Sequence, residues 1–499
     1  MTSISPSKKD NAPAVAIWLL IILAFVFSLF RLGSHSLWLD EALTIKNATD
    51  ISHLVSVLTT SEPYMWTYML ALNVWLKIGN SEFFIRLLSS IFFVASVVVF
   101  FKTWQLVYNT KVAFVSSLIY ILHPFIIRYS QEVRAYSMAL FFTGLSTYFF
   151  IKLVRRGHLL ALFGYTLATM FLIYTHHFGL LILGAQVVFV VLNLKRLGFV
   201  NKVWLGVGGV FVASYPLLAI KIPQSAVNWI PDLGESGLMH FLMSLGGGNF
   251  VSLLTLTLSF FAGSWYVLTK HVKNQGGRIN FEVLPVFLFF VPLVLTLAYS
   301  LLVQPAFVSR YLIIVIPAFI VLVSYTLVRL TVAKGMLVGF IILGSLAWSL
   351  LVWYGFRLPK EGSWEKTILG SHEDWRSATN FVASNAQAGD SVVFYSYYVR
   401  VPFEYYLGRL GYTDRFFLPE LAVKSYTLGG VMPEASGELL SGLLPKRNGD
   451  VWLVLSHHTN SRLGRTKQAE KIKEVLANNY DGRFEGDYGG ILIYRYVKK

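Results

Sequence analysis

Acidic side chains are scarce in this 499-residue chain, 26 Asp and Glu against 42 Lys and Arg, yet two stand together as Asp40–Glu41 within "SLWLDEALT". A carboxylate can serve as general base toward a hydroxyl within hydrogen-bond reach. The same pair could instead cap a helix that starts there, since acids favour helix N-termini. A second constellation is "HPFIIRYSQEVRAYS", His123 to Ser137, which carries Arg128, Glu132 and Arg134. On a helix Arg128 and Glu132 share a face and could simply pair. Alternatively, the arginine forks could bind phosphate oxygens bidentately while Glu132 orients them. Arg310, in "QPAFVSRYLIIVIPAF", precedes a long apolar run; it either snorkels or meets a phosphate at a membrane boundary. Lys221, in "KIPQSAVNWIPDLGESG", is a weaker candidate for the same contact. "YTHHFG" places His176 beside His177. Neighbouring residues rarely present both rings to one ion and no third ligand stands nearby, so packing or hydrogen bonding accounts for them better than a metal. "SLGGGNF", Ser244 to Phe250, lacks the Lys–Ser/Thr of a nucleotide loop and reads as a flexible entry to the next apolar run. The chain has neither GxSxG nor HExxH.

These residues need a scaffold, and the composition indicates which kind. Hydrophobic residues make up 55%, aromatic 16% and charged only 14%, with a mean hydropathy of +0.59, which places the chain among polytopic membrane proteins. Apolar runs near the ~20 residues needed to cross a bilayer recur at 14–33, 83–107, 112–127, 137–154, 159–175, 178–194, 203–220, 249–269, 283–302, 311–329 and 336–355. The first run is long and no small-residue cleavage site follows it, which reads as an uncleaved helix. With the amino terminus cytoplasmic, alternate loops on that side hold Lys102 and Lys111, Arg155–Arg156, Lys195–Arg196–Lys202, Lys270–Lys273–Arg278 and Arg329–Lys334, as the positive-inside rule requires. That parity puts Asp40–Glu41, Arg128, Glu132, Arg134, His176–His177, Lys221 and Arg310 on the opposite, extracytoplasmic side. The formal charge of +16 follows from these loops and their anionic headgroup neighbours, and nucleic acid is not expected as a partner. Zero cysteines exclude disulfides and thiolate metal sites.

Between Leu37 and Glu82 amphipathic pieces alternate with one marginal apolar run holding Trp66 and Trp75. Counting 64–78 as a span would break the parity, so interfacial or re-entrant helices are expected. Residues 1–356 then form the membrane domain. Residues 357–499 lose the apolar character and, at roughly 140 residues, suffice for a soluble domain, placed by the odd span count on the extracytoplasmic side. "HEDWRSATNFVASNAQAGD" reads as an amphipathic helix, and "SVVFYSYY", "DVWLVLSH" and "GGILIYRYV" read as strands.

Taken in order, "SLWLDEA", "GNSEFFIRLLS", "YSQEVRAYSMALFF", "YTHHFGLL", "SRYLIIVIPA" and "DWRSATNFV" resemble the bacterial members of glycosyltransferase family 39, the group of protein O-mannosyltransferases and aminoarabinose transferases with the GT-C fold. The resemblance covers most of the chain. It implies a mainly α polytopic bundle of about eleven transmembrane helices plus interfacial helices, with a C-terminal extracytoplasmic mixed α/β domain. It implies a transferase in the cytoplasmic membrane taking one sugar at a time from a polyprenyl-phosphate donor, and leaves the acceptor open among lipid, glycan and protein. By resemblance, the catalytic Asp falls on Asp40, with Glu41 beside it and a second acid at Glu132. Arg310 would meet the donor phosphate, joined by Arg128, Arg134 and Lys221, and Tyr64, His176 and Tyr311 would line the substrate pocket. No cofactor is implied with certainty, although Asp40, Glu41 and His176 could hold a divalent metal. Many relatives have a Pro–Pro pair where this chain has "SEPYMW". The tail does not resemble the β-trefoil of the eukaryotic protein mannosyltransferases. The rivals are a transporter or flippase of lipid-linked glycans, which should show pseudo-symmetric halves and mid-membrane charges, and a polymerase or ligase that transfers whole chains.

Overall fold

The computed structural model describes residues 12–60, 64–197, 202–220, 229–273, 279–370, 373–395, 397–411, 449–457 and 465–499. Lys221 and the start of "SEPYMW" lie outside them. From the amino terminus, α1 (Ala12–Leu29) precedes three short helices, α2 (Leu39–Thr49), α3 (Ile51–Thr60) and α4 (Trp66–Leu76), and then α5 (Glu82–Val107), α6 (Thr110–Leu122), α7 (Pro124–Ser130) and α8 (Tyr136–Arg156). Next come α9 (Leu159–Thr175), α10 (Gly179–Leu192), the single turn α11 (Leu194–Leu197), α12 (Lys202–Leu218), α13 (Glu235–Leu245) and α14 (Phe250–Lys273). The bundle ends with α15 (Leu284–Leu302), α16 (Ile316–Arg329) and α17 (Val332–Trp353). Each of the eleven expected spans thus contains a helix. Six helical stretches are long and apolar enough to cross a membrane, and seven if α6 and α7, bent by 66° at the break, count as one. The other four, α1, α9, α10 and α12, are apolar but shorter. The segment before α5 forms α2 to α4, none longer than 11 residues, too short to span.

Local chemistry sets these boundaries. Ser81 caps α5 by accepting from the Phe84 amide at 3.2 Å, and Asn109 caps α6 by accepting from Val112 at 2.9 Å. Pro124 has no N–H and restricts the residue before it, so α6 stops at His123 and α7 sets off in a new direction. Within a bilayer, helix association depends on close packing more than on apolar burial. At Gly263 of α14 a Cβ would fall 2.3 Å from the Leu322 carbonyl oxygen of α16, and Thr326 beside it donates to the Ser259 carbonyl at 2.7 Å. The glycine run after α13 is buried, and a Cβ on Gly247 would meet Pro124 at 2.8 Å. It is a packed turn against α7 and not a free connector.

Helix α8 starts at Tyr136 beside the acid–arginine residues and ends at Arg155–Arg156; its 21 residues separate the two by about 30 Å at 1.5 Å per residue. Helix α16 likewise runs from near Arg310 to Arg329. The basic helix ends and the candidate site therefore occupy opposite ends of the bundle.

After α17 come α18 (Trp364–Leu369), α19 (Trp375–Asn385), β1 (Ser391–Tyr395), α20 (Arg400–Arg409), β2 (Val451–Leu455), α21 (Arg465–Ala477), β3 (Tyr480–Asp487) and β4 (Leu492–Lys498). The sheet order is β1-β2-β4-β3. The β1–β2 pair is parallel with Ser391 opposite Val451, and the other two pairs are antiparallel. The expected helix and three strands are present; β3 and the helices α18, α20 and α21 are additions. One apolar cluster runs from Leu37, Tyr68 and Leu72 to Trp375, Phe403 and Trp452. It fastens the segment between α1 and α5 to the C-terminal segment.

Candidate active site

Asp40 and Glu41 occupy the first turn of α2 and point to different partners. Glu41 is fully buried. Its Oε1 accepts from Arg86 Nε and from the Val133 amide, both at 2.8 Å, and its Oε2 accepts from Arg86 Nη2 at 2.6 Å and from the Trp38 amide at 3.3 Å. Arg86, near the start of α5, also donates to the carbonyls of Leu32, His35 and Ser36. Glu41 thus caps its own helix and anchors the loop that precedes it. With both oxygens engaged, it offers nothing to a substrate or metal.

Asp40 is 23% exposed and is held loosely. Its Oδ2 lies 3.8 Å from Arg134 Nη2 and 3.6 Å from Arg310 Nη2, beyond hydrogen-bond length but well within Coulombic reach. Arg134 sits in the short α7–α8 loop and donates to Thr44 Oγ1 at 2.9 Å. Arg310 begins the 3-10 turn leading into α16, and its guanidinium lies 4.9 Å from the Trp229 ring and 5.8 Å from the rings of Trp38 and Tyr311. Aromatic faces can hold a guanidinium without using its N–H groups. Among the described residues, the Nε atoms of Arg134 and Arg310 are buried with no hydrogen-bond partner, so both cations keep donors for an anion.

Arg128 and Glu132 do pair, Nε to Oε1 at 3.1 Å, and Arg128 Nη1 also donates to the Ile368 carbonyl. The other Glu132 oxygen is buried without a partner and the residue lines a small cavity with His35, Trp38 and Gln131. Burial pushes the Glu132 carboxyl up to about 7, against the opposing pull of Arg128. His176 packs 5.2 Å from the Tyr311 ring, and its Nδ1 accepts from the Phe178 amide at 3.2 Å. Burial first, then His177, Arg134 and Arg310, push its pKa down to about 3, so it is neutral. His177 turns instead toward Tyr64, ring centres 6.3 Å apart.

The structure therefore gathers Asp40, Arg134, Arg310, Tyr311 and His176 at one place, with Arg128 and Glu132 adjoining. Lys221 lies outside the described residues. Among those residues no three His, Asp or Glu side chains converge as metal ligands. Asp40, Glu41 and His176 do not fit a metal, because two guanidiniums face Asp40, Glu41 is saturated and His176 accepts a backbone hydrogen bond. Arg86, which anchors the loop before Asp40, is not among the expected site residues, although a cation inside an apolar helix demands a partner. His240, whose Nδ1 lies 2.8 Å from Ser309 Oγ next to Arg310, gave no signal in the sequence.

Residues 61–220 match the sequence model of the dolichyl-phosphate-mannose-protein mannosyltransferases. No curated protein sequence matches the chain. Among solved structures, ArnT from Cupriavidus metallidurans in the apo state superposes with a TM-score of 0.61 at 13% identity, covering 97% of this chain and 98% of that one. The same protein bound to undecaprenyl phosphate gives 0.57 at 12% identity, with 98% of each chain covered. AglB, the oligosaccharyltransferase of Archaeoglobus fulgidus, in complex with an inhibitory peptide and a dolichol-phosphate, gives 0.55 at 10% identity, covering 99% of this chain and 75% of that one. The architecture is that of the GT-C fold, and the chain is a membrane protein similar to glycosyltransferase family 39.

Proposed function

We propose that this chain is an integral membrane glycosyltransferase. It moves a single hexosyl or pentosyl unit from a polyprenyl-phosphate donor to an acceptor hydroxyl on the extracytoplasmic side of the cytoplasmic membrane. The observation that carries this reading is Asp40 held at 3.6–3.8 Å between two arginines that retain unused donors. ArnT has been seen with undecaprenyl phosphate and AglB with a dolichol-phosphate, which supports a lipid phosphate as the anion.

In this reading the phosphate takes up the free N–H groups of Arg134 and Arg310, with Arg128 nearby, drawing them from an Asp40 they hold only loosely. The acceptor oxygen attacks the anomeric carbon and Asp40 takes its proton. The bond from that carbon to the phosphate oxygen breaks, and the arginines stabilise the charge that develops there. Direct displacement inverts the anomeric configuration. His176, neutral and packed on Tyr311, and Tyr64 shape the pocket, while Glu132 keeps Arg128 in place. Nothing in the mechanism calls on a metal.

The test is mass spectrometry of envelope glycans and lipids from cells with the gene, without it, and with an Asp40→Asn allele. The reading expects one sugar to vanish from one acceptor in the deletion, and the allele to behave as the deletion while its protein accumulates normally. Identical envelopes, or full complementation by Asp40→Asn, would overturn it.

A further inference from the structure

The loop Gly33–Trp38, which delivers Asp40 to its place, is gripped from two directions. From the bundle, Arg86 binds the loop carbonyls of His35 and Ser36, that of Leu32 just before them, and Glu41. From the C-terminal segment the grip is as extensive. Arg376 donates to the carbonyls of Gly33, Ser34 and His35, and pairs with Glu82 at 2.5 Å. The Ser36 hydroxyl accepts from the Arg376 amide at 3.0 Å, and the Tyr406 hydroxyl accepts from the Leu37 amide at 2.7 Å. Glu373 Oε2 accepts from the amide of Leu39, the residue immediately before Asp40, at 3.3 Å, and from Trp375 Nε1 at 2.7 Å. Its Oε1 accepts from the Ser456 hydroxyl at 3.2 Å and lies 2.5 Å from His457 Nε2.

A helix start leaves amides without intrahelical partners and favours a negative charge. Here a largely buried carboxylate from 334 positions away supplies one at the first turn of α2, and the end of β2 holds that carboxylate in turn. We propose that the C-terminal segment positions Asp40, with Glu373 as the positioning residue that ties the sheet to the first turn of α2. Glu373 touches no substrate. Its effect runs through the orientation of the Asp40 carboxylate, so this inference rests on the reading of Asp40 as base. On that view the segment belongs to the catalytic machinery whether or not it also meets the acceptor.

The prediction is a loss in turnover without a loss in donor binding. In the full-length protein in detergent, Glu373→Ala should raise amide hydrogen exchange in peptides covering 36–44 by about tenfold, leaving α8 peptides protected. Turnover should fall roughly 10- to 100-fold with binding of undecaprenyl phosphate unchanged, since a small misplacement of a reacting group is enough. Glu373→Gln, which keeps an acceptor oxygen, should fall between Ala and wild type. Tyr406→Phe removes only the hydroxyl at Leu37; it should loosen the same peptides and serves if Glu373→Ala does not fold. Arg495→Gln, which breaks the sheet's Arg495–Asp450 pair away from this loop, should change neither. Unchanged exchange at 36–44 in the Glu373 variants overturns the inference, as does a loss of turnover matched by an equal loss of donor binding. Faster exchange in a chain whose wild type uses no polyprenyl-phosphate sugar supports the clasp and overturns the transferase reading instead.

Discussion

Two neighbouring carboxylates make the sharpest contrast in the molecule. Glu41 meets Arg86 at 2.6 and 2.8 Å, is fully buried, and shares a network in which every Arg86 donor is used. Asp40 meets two arginines at 3.6 and 3.8 Å, is partly exposed, and leaves donors on both. A saturated pair can only hold a shape, because any new partner must displace an existing one. A loose, over-supplied pair can exchange partners, as a site binding an anionic leaving group must.

The contrast breaks most visibly on the structural side. Arg86→Ala should strand the Glu41 charge in a dry interior and destabilise the protein by about 3–5 kcal/mol, read as lost yield and a lower melting temperature in detergent. Asp40→Asn should leave the melting temperature near wild type while turnover falls ~10²–10⁴-fold, the range for removing a general base. If Asp40→Asn proved as destabilising as Arg86→Ala, the division between the two residues would collapse.

How much of this the sequence discloses follows from the same contrast. Hydropathy places the helices because a bilayer imposes a length and a polarity on every span. Boundary residues such as Asp40, Arg134 and Arg310 stand out because charge is rare in so apolar a chain. The division of labour inside "DE" is invisible, since it depends on which side of α2 meets Arg86 of α5, a contact between residues 45 apart in the chain. The helix-capping reading applies to Glu41 alone. Glu373 and Tyr406 are beyond local pattern for the same reason, their partners being more than 300 residues away. Strand β3, "YDGRFEGD", lacks the continuous apolar run that reveals the fully buried β1 and β2, because it is an exposed strand at the sheet edge.

On the functional side, Arg310→Ala and Arg134→Ala should each weaken binding of a polyprenyl phosphate about 10- to 100-fold, the scale of one charge-assisted contact. Titration of undecaprenyl phosphate into the purified variants measures it. Lys would restore the charge but not the fork, so Arg310→Lys should recover only part of the loss. Equal affinity in all three variants would leave the free guanidinium donors without a ligand and remove the phosphate from this site.

The Arg128–Glu132 pair lies between the two extremes, with one carboxylate oxygen engaged and the other buried alone. Its pKa stands at about 7 against an ordinary 4.5, so the folded protein holds this proton more tightly than the unfolded chain. Stability attributable to Glu132 is therefore fullest below pH 4.5 and is lost as pH rises toward 7. Glu132→Gln imitates the protonated form and should be spared that loss. Its melting temperature relative to wild type should climb by roughly 2–4 °C between pH 5 and pH 8. A difference that stays flat with pH would mean that Arg128 compensates the buried charge fully, and would class this pair with Glu41–Arg86 as a closed structural bridge.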